Sequence, residues 1–203
     1  MQNSQEIVKH LNFGGDAQDK VFSGITKLTQ AVSSTLGASG KCVILEDFMG
    51  RPMITKDGVT VANSVNLQNP VENIGATLIK EAARKTVSEA GDGTTTATVL
   101  AHSILKEAKD FEGSLRDIKT DINDCYEKTI KYLEKVSIPV EGDMIDQVAS
   151  ISSNNDKELG SIIGEAFKKV GKNGVVLMDA DGKTEETTVE VVTGSQINQG
   201  FAN

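Results

Sequence analysis

The stretch that most constrains this chain is Gly91-Asp92-Gly93-Thr94-Thr95-Thr96-Ala97-Thr98, which sets a carboxylate, two glycines and a run of hydroxyls between two helical patterns. Before it, residues 70 to 90 carry apolar side chains at Ile74, Leu78, Ala82 and Ala83. After it, Ala97, Leu100, Ile104 and Ala108 keep the same period. A chain that leaves one helix at Gly91 and starts the next near Thr94 aims the unpaired amides of the second helix into the gap, where an anion is favoured. Gly93 permits close backbone approach, the threonines add hydroxyl donors, and Asp92 offers oxygen to a hard cation such as Mg²⁺. An ordinary helix-loop-helix accounts for the same residues, with Gly91 ending one helix and Thr94 capping the next. Three consecutive threonines are poor helix formers, so their concentration at one helix start points to hydroxyls kept for a metal-phosphate ligand.

The flanking chain predicts a mainly helical fold. A first helix runs from an Asp16 cap through Val21, Ile25, Leu28, Val32 and Leu36 to Gly37. Residues 41–45 and 53–55 read as strands, and Lys56-Asp57-Gly58 before Val59-Thr60-Val61-Ala62 reads as a hairpin turn. Asn69, Pro70 and Glu72 then open the long helix with a cap, a first-turn proline and an acid. A further helix is expected from Ser114 to about Val136, with Leu115, Ile118, Ile122, Cys125 and Leu133 on one side. Ser137-Ile138-Pro139 marks a hinge. Beyond it come a short helix over 143–149, a polar run over 150–156, and a helix with Leu159, Ile162, Ile163, Ala166 and Val170 that closes at Gly171. Strands are expected at 175–178 and 187–192, around an Asp181-Gly182 turn.

Composition excludes more than it selects. The 203 residues can bury a real core, and with aromatics at 4% and no Trp that core must rest on Ile, Val, Leu and Ala. A net charge of −8 argues against general nucleic-acid or anionic-membrane binding, so a nucleotide would need local compensation from amides, Lys56 and a metal ion. Cys42 and Cys125 form no close-spaced pair and read as buried thiols; His10 and His102 read as surface imidazoles. The apolar runs are too short for a membrane span, and a reducing cytoplasm is the expected setting. A P-loop is excluded because Gly37-Ala38-Ser39-Gly40-Lys41-Cys42 has neither its spacing nor its hydroxyl, and the third glycine of a dinucleotide fingerprint is absent after Gly91 and Gly93.

Gly-Asp-Gly-Thr-Thr-Thr-Ala-Thr resembles the phosphate-binding signature of the GroEL-like group I chaperonins. Thr35-Leu36-Gly37 with Gly40, Ile54 to Val59, Glu72 to Ala76, and Ile151-Ser152-Ser153-Asn154 are similar to family segments in family order. The resemblance implies an equatorial domain, N-terminal half, over 1–136, a first segment of the α/β intermediate domain over 137–192, and the start of an apical domain over 193–203. It implies an ATPase that uses ATP and Mg²⁺ to drive folding of unfolded client proteins in a homo-oligomeric ring, with a co-chaperonin as a possible further partner. Residue by residue, Asp92 matches the Mg²⁺ ligand, and Gly93, Thr94, Thr95 and Thr96 lie at the phosphates. Lys56 matches the lysine near the terminal phosphates, and Asp57 the catalytic acid near the attacking water. Thr35, Leu36 and Gly37 approach the nucleotide with backbone, and Ile151 and Ser152 come from the hinge.

The family's Gly-Pro-Lys-Gly is here Gly37-Ala38-Ser39-Gly40, without the proline and the positive charge. The connection around residues 109–115 is shorter than usual, and extra residues precede Asn12. The resemblance also places the client-binding surface, a returning carboxylate and the second equatorial half outside these residues, so this stretch by itself is expected to turn over little ATP and to build no ring. The alternative is a short interaction module that binds or regulates full-length rings.

Overall fold

A computed structural model of the chain describes residues 10–37, 39–47, 49–171, 173–178 and 187–194. The described chain forms two compact units, 1–123 and 124–203, and the division falls inside a helix. Ala38, the Asp181-Gly182 turn and residues 195–203 lie outside the described residues.

In the first unit the order is α1 (Gly14–Ser33), β1 (Val43–Glu46), β2 (Pro52–Thr55), α2 (Gly58–Ser64), α3 (Pro70–Ala90), α4 (Thr94–Asp110) and α5 (Leu115–Val136), the last of which runs across the division. Val21, Ile25, Leu28 and Val32 recur on one face of α1 as expected, and Ile25, Leu28 and Val32 join Val61 and Ala62 of α2 and Ala76 and Ile79 of α3 in the core. The helix is nevertheless shifted from expectation. It starts at Gly14 behind Phe13, and Asp16 stands in its first turn paired with Lys20 at 2.6 Å. At the other end it stops at Ser33. The Thr35 and Leu36 amides donate to Val32 and Ser33 carbonyls in a tightened turn, which leaves Leu36 outside the core.

The single hairpin of the described residues pairs β1 with β2 antiparallel, Val43 opposite Thr55 and Glu46 opposite Pro52. Asp47 holds its turn. The Asp47 carboxylate accepts the Met49 amide at 2.8 Å and the Arg51 amide at 2.9 Å, and Arg51 Nε closes on it at 3.0 Å. The expected hairpin at Lys56-Asp57-Gly58 is therefore corrected. Asp57 caps α2, and Val59 to Ala62 are helical despite their β-branched composition, because Val61 and Ala62 gain burial against α1 and α3 that outweighs a weak local preference.

For α3 the terminal signals hold in full. The Asn69 side chain accepts the Val71 and Glu72 amides, Pro70 occupies the first turn, and Gly91 ends the helix in the left-handed region at φ 77°. The buried face differs from the expected one: Gly75, Ala76, Ile79, Lys80 and Ala83 point inward, and Ile74 and Leu78 are exposed. Glycine spacing explains the rotation. A Cβ on Gly24 would overlap the Glu72 carbonyl, and a Cβ on Gly75 would overlap the Val21 carbonyl, so α1 and α3 cross backbone to backbone. Glu72 fastens the crossing by accepting Lys27 Nζ at 2.7 Å and Ser23 Oγ at 3.0 Å. Buried Lys80 donates to the Val65 carbonyl, and Arg84 donates twice to Asn63, which ties the α2–α3 connection to α3.

α4 likewise turns Thr94 and Thr98 inward and leaves Leu100 and Ile104 outward. Phe22 stacks on His102 with ring centroids 5.5 Å apart, and Thr26 Oγ1 lies 3.1 Å from His102 Nε2, so His102 packs from α4 against α1 and is no surface imidazole. Both thiols, Cys42 and Cys125, are exposed, against the expectation of burial. Ser114 starts α5 by accepting the Asp117 amide at 3.2 Å.

The second unit is built on α6 (Asp143–Ser152) and α7 (Lys157–Val170), an antiparallel pair. Asp156 caps α7 by accepting the Glu158 and Leu159 amides, and Gly171 follows its end. Gly160 and Gly164 admit Ser150 and Asp146 of α6 at close range, and Lys168 Nζ pairs with Asp146 at 2.6 Å. Residues 175–178 and 187–192, expected as strands, belong to no sheet among the described residues. A strand needs a neighbour to complete its ladder, and neither has one there.

Candidate functional site

The octapeptide folds as a break between two helices with both glycines left-handed, Gly91 at φ 77° and Gly93 at φ 90°. Asp92 stands exposed between them, and its Oδ1 accepts the Gly93 amide at 2.6 Å. In α4 the first helical bond runs from the Ala97 amide to the Gly93 carbonyl, so the Thr94, Thr95 and Thr96 amides precede the ladder. No side chain caps this end, in contrast to α2, α3 and α7. The helix start therefore presents free donors and the positive end of its dipole beside a carboxylate.

The threonines are not equivalent. Thr94 is buried, and its carbonyl accepts the hydroxyl of fully buried Thr98 at 2.8 Å, so these two serve packing. Thr96 is exposed. Thr95 is half-buried and faces two other segments at once: its Oγ1 lies 3.5 Å from Thr35 Oγ1, and it fills the space where a Cβ on Gly58 would stand. Three of the expected segments, the end of α1, the start of α2 and the start of α4, thus meet at Thr35, Gly58 and Thr95.

The end of α1 looks unfavourable for an anion, since its dipole is negative there. Its carbonyls are largely engaged: Val32 O accepts the Thr35 amide at 3.1 Å and the Thr35 hydroxyl at 2.8 Å, and Ser34 O accepts the Lys41 amide at 2.8 Å. Gly37 is left-handed at φ 75°, and Leu36 and Gly37 are exposed.

Asp57 accepts the Val59 amide at 3.1 Å, the Thr60 amide at 2.9 Å and the Thr60 hydroxyl at 2.5 Å. Burial pushes its carboxyl upward, but the two Thr60 bonds and the Val59 amide outweigh that and hold it below the usual carboxylate range. A carboxylate offers about four lone-pair sites, so three donors leave room for one more, such as a water. Lys56 precedes it and is exposed. Ile151 and Ser152 form the last turn of α6, in the second unit.

Among the described residues no group of three or more His, Cys, Asp or Glu is arranged to hold a metal. Mg²⁺ does not require one, because it usually takes one or two carboxylates and completes its shell with phosphate oxygens and water. The donor set around Asp92 fits that pattern. Two open hollows, of 570 and 420 Å³, are lined by Glu81, Arg84 and Ser88 among others and by Glu46, Asp47 and Asn66 among others; neither includes an expected site residue. The site is a surface of amides and hydroxyls instead of a cavity. Sequence reasoning missed Gly58 as a site residue, although a glycine at a helix's first position beside a capping acid was a readable signal.

The chain matches the TCP-1/cpn60 chaperonin family over residues 28–203. It is 42% identical over 201 residues to Chaperonin GroEL 1 of Rhodopirellula baltica, covering 96% of this chain and 35% of that protein, so it spans about a third of the curated relative's length. Its fold is similar to the crystal structure of the chaperonin gp146 from the bacteriophage EL 2 (Pseudomonas aeruginosa) in presence of ATP-BeFx, with a TM-score of 0.70 and 35% identity over 77% of this chain and 28% of that one. It is also similar to the crystal structure of a group III chaperonin in the open state, with a TM-score of 0.61 and 26% identity over 76% of this chain and 32% of that one.

Proposed function

The chain belongs to the TCP-1/cpn60 chaperonin family, and from that premise we propose that it is an ATP-dependent protein-folding chaperonin subunit, or the N-terminal part of one, that binds Mg-ATP at the Gly91–Thr98 loop. The observation that carries this reading is the meeting of Thr35, Gly58 and Thr95 at the uncapped start of α4. The gp146 structure was solved in presence of ATP-BeFx, which supports a nucleotide as the ligand.

Each residue has a role that its surroundings allow. The Thr94, Thr95 and Thr96 amides and the exposed hydroxyls bind phosphate oxygens, Gly93 lets them come close, and Lys56 adds a positive charge that a chain of net charge −8 needs locally. Asp92 holds Mg²⁺, which when bound offsets phosphate charge. Thr35, Leu36 and Gly37 approach with backbone. Asp57 is ionised well below neutrality and is held by three donors, so it orients a water through its remaining lone pair and is too weak a base to take the proton outright. Catalysis on this account is positioning and charge stabilisation, with no covalent intermediate.

The domain limits are proposed as 1–136, 137–192 and 193–203 for the equatorial, intermediate and apical parts. Ring assembly, client folding, a cytoplasmic setting and a co-chaperonin belong to the same proposal. No helix of the described residues is long and apolar enough to cross a membrane. Titration of Mg-ATP into the wild type, Asp92→Ala and Asp57→Ala is the test. Loss of a charge-assisted contact is worth about 1.5–3 kcal/mol, so Asp92→Ala binds at least about tenfold more weakly, while Asp57→Ala stays near the wild type. Equal affinities for all three, or Mg²⁺ dependence that survives in Asp92→Ala, would contradict the reading.

A further inference from the structure

Gly58 occupies the first helical position of α2 and is buried, yet its φ is not positive. Its backbone would accept alanine, a far better helix former. Space is what forbids it: an added Cβ would overlap Thr95 Oγ1, with Thr95 Cβ at 3.5 Å and Thr35 Oγ1 at 3.6 Å as the next neighbours.

A second observation concerns Thr95 itself. Inside the helices of this chain Thr77, Thr86, Thr98, Thr120 and Thr129 donate their hydroxyls to the carbonyl four residues earlier. Thr95 faces Thr35 across 60 residues instead, at 3.5 Å. The Thr35 proton is already given to Val32 O at 2.8 Å, so Thr95 is the donor in that contact. Its side chain is thereby fixed between the end of α1 and the start of α2, in the same turn as the open α4 amides.

We propose that Gly58 is a positioning residue for the candidate site: by lacking a side chain it lets α2 close on the first turn of α4 and holds the Thr95 hydroxyl against Thr35, in place for the ligand. This rests on the Mg-ATP reading above. It makes Gly58 act through one oxygen, which gives a specific pattern of non-additivity.

The experiment measures Mg-ATP affinity and thermal stability for Gly58→Ala, Thr95→Ala, Thr95→Ser and Gly58→Ala/Thr95→Ala. Thr95→Ala weakens binding about tenfold and Thr95→Ser leaves it within about twofold, as loss and retention of one hydroxyl contact to a charged ligand require. Gly58→Ala weakens binding about as much as Thr95→Ala and lowers stability. The double variant regains stability, because the remaining neighbours of the new Cβ lie at ordinary contact distance, and it binds like Thr95→Ala alone. Losses that multiply to about a hundredfold in the double variant would overturn the proposal, as would unchanged affinity in Gly58→Ala. Should Gly58→Ala be too unstable to titrate, a double variant no more stable than it overturns the proposal equally. Unchanged affinity in Thr95→Ala would instead remove the Mg-ATP reading at this residue, and the inference with it.

Discussion

Asp57 carries two duties that pull in one direction, since the donors that cap α2 through it also keep it ionised. As an N-cap it is worth about 1 kcal/mol against alanine. Its pH behaviour follows from the lowered carboxyl. A group depressed in the folded state contributes stability that is full above the unfolded value, near 3.9, and is lost as the pH falls through the folded one. Asp57→Asn keeps a capping oxygen without the charge, so the stability gap between it and the wild type should be constant from neutrality to about pH 5 and close below that. Chemical denaturation across that range measures it, and a gap that does not narrow as the pH falls below the unfolded value would contradict the assignment. Asp57 was legible as a special residue, but its Asp-Gly pair reads equally as a hairpin turn. Only the three bonds to Val59 and Thr60 decide between turn and cap. The helix break was legible at Gly91, because a glycine after the last periodic residue supplies the left-handed backbone that ends α3 at φ 77°.

At the scale of elements, helix starts were legible at the capped ends Asn69, Ser114 and Asp156, whereas α1 began two residues before its expected Asp16 cap and α2, capped by Asp57, was read as a hairpin. The inward faces of α3 and α4 were misjudged, because large apolar residues were counted as the core. In α3 the buried stripe is Gly75, Ala76, Ile79, Lys80 and Ala83, with Ile74 and Leu78 outward at 57% and 58% exposure, and in α4 it is Thr94 and Thr98. The cause is the close α1–α3 crossing at Gly24 and Gly75, which no periodicity count registers. Gly75→Ala sets two effects against each other: alanine gains up to about 1 kcal/mol in helix propensity, and overpacking against a backbone carbonyl costs about 1–3 kcal/mol. The carbonyl of Val21 cannot rotate away, so overpacking wins and the unit loses about 2 kcal/mol. Gly15→Ala in α1, where an added Cβ meets nothing within 4 Å, should be neutral or stabilising. Denaturant midpoints of the two variants compare them directly, and a stabilised Gly75→Ala would mean that the helices do not cross as described.

At the scale of the whole molecule, the family and the mainly helical fold were legible from five short segments in order, since each is tied to a local backbone demand: a left-handed glycine, a capped start, a close crossing. What was not legible is the convergence of the end of α1, the start of α2 and the start of α4, because contacts across 37 to 60 residues leave no local signal. That convergence is the centre of the account, for on the proposed reading it turns separate motifs into one Mg-ATP site. Amide hydrogen exchange with and without Mg-ATP tests it most directly, because bound phosphate closes free amides wherever it sits. The account predicts that Mg-ATP slows exchange together, and with one saturation curve, in residues 35–37, 56–60 and 93–98, and that Asp92→Ala moves that curve at least about tenfold higher in Mg-ATP in all three. Protection confined to one of these segments, or appearing only elsewhere in the chain, would contradict it.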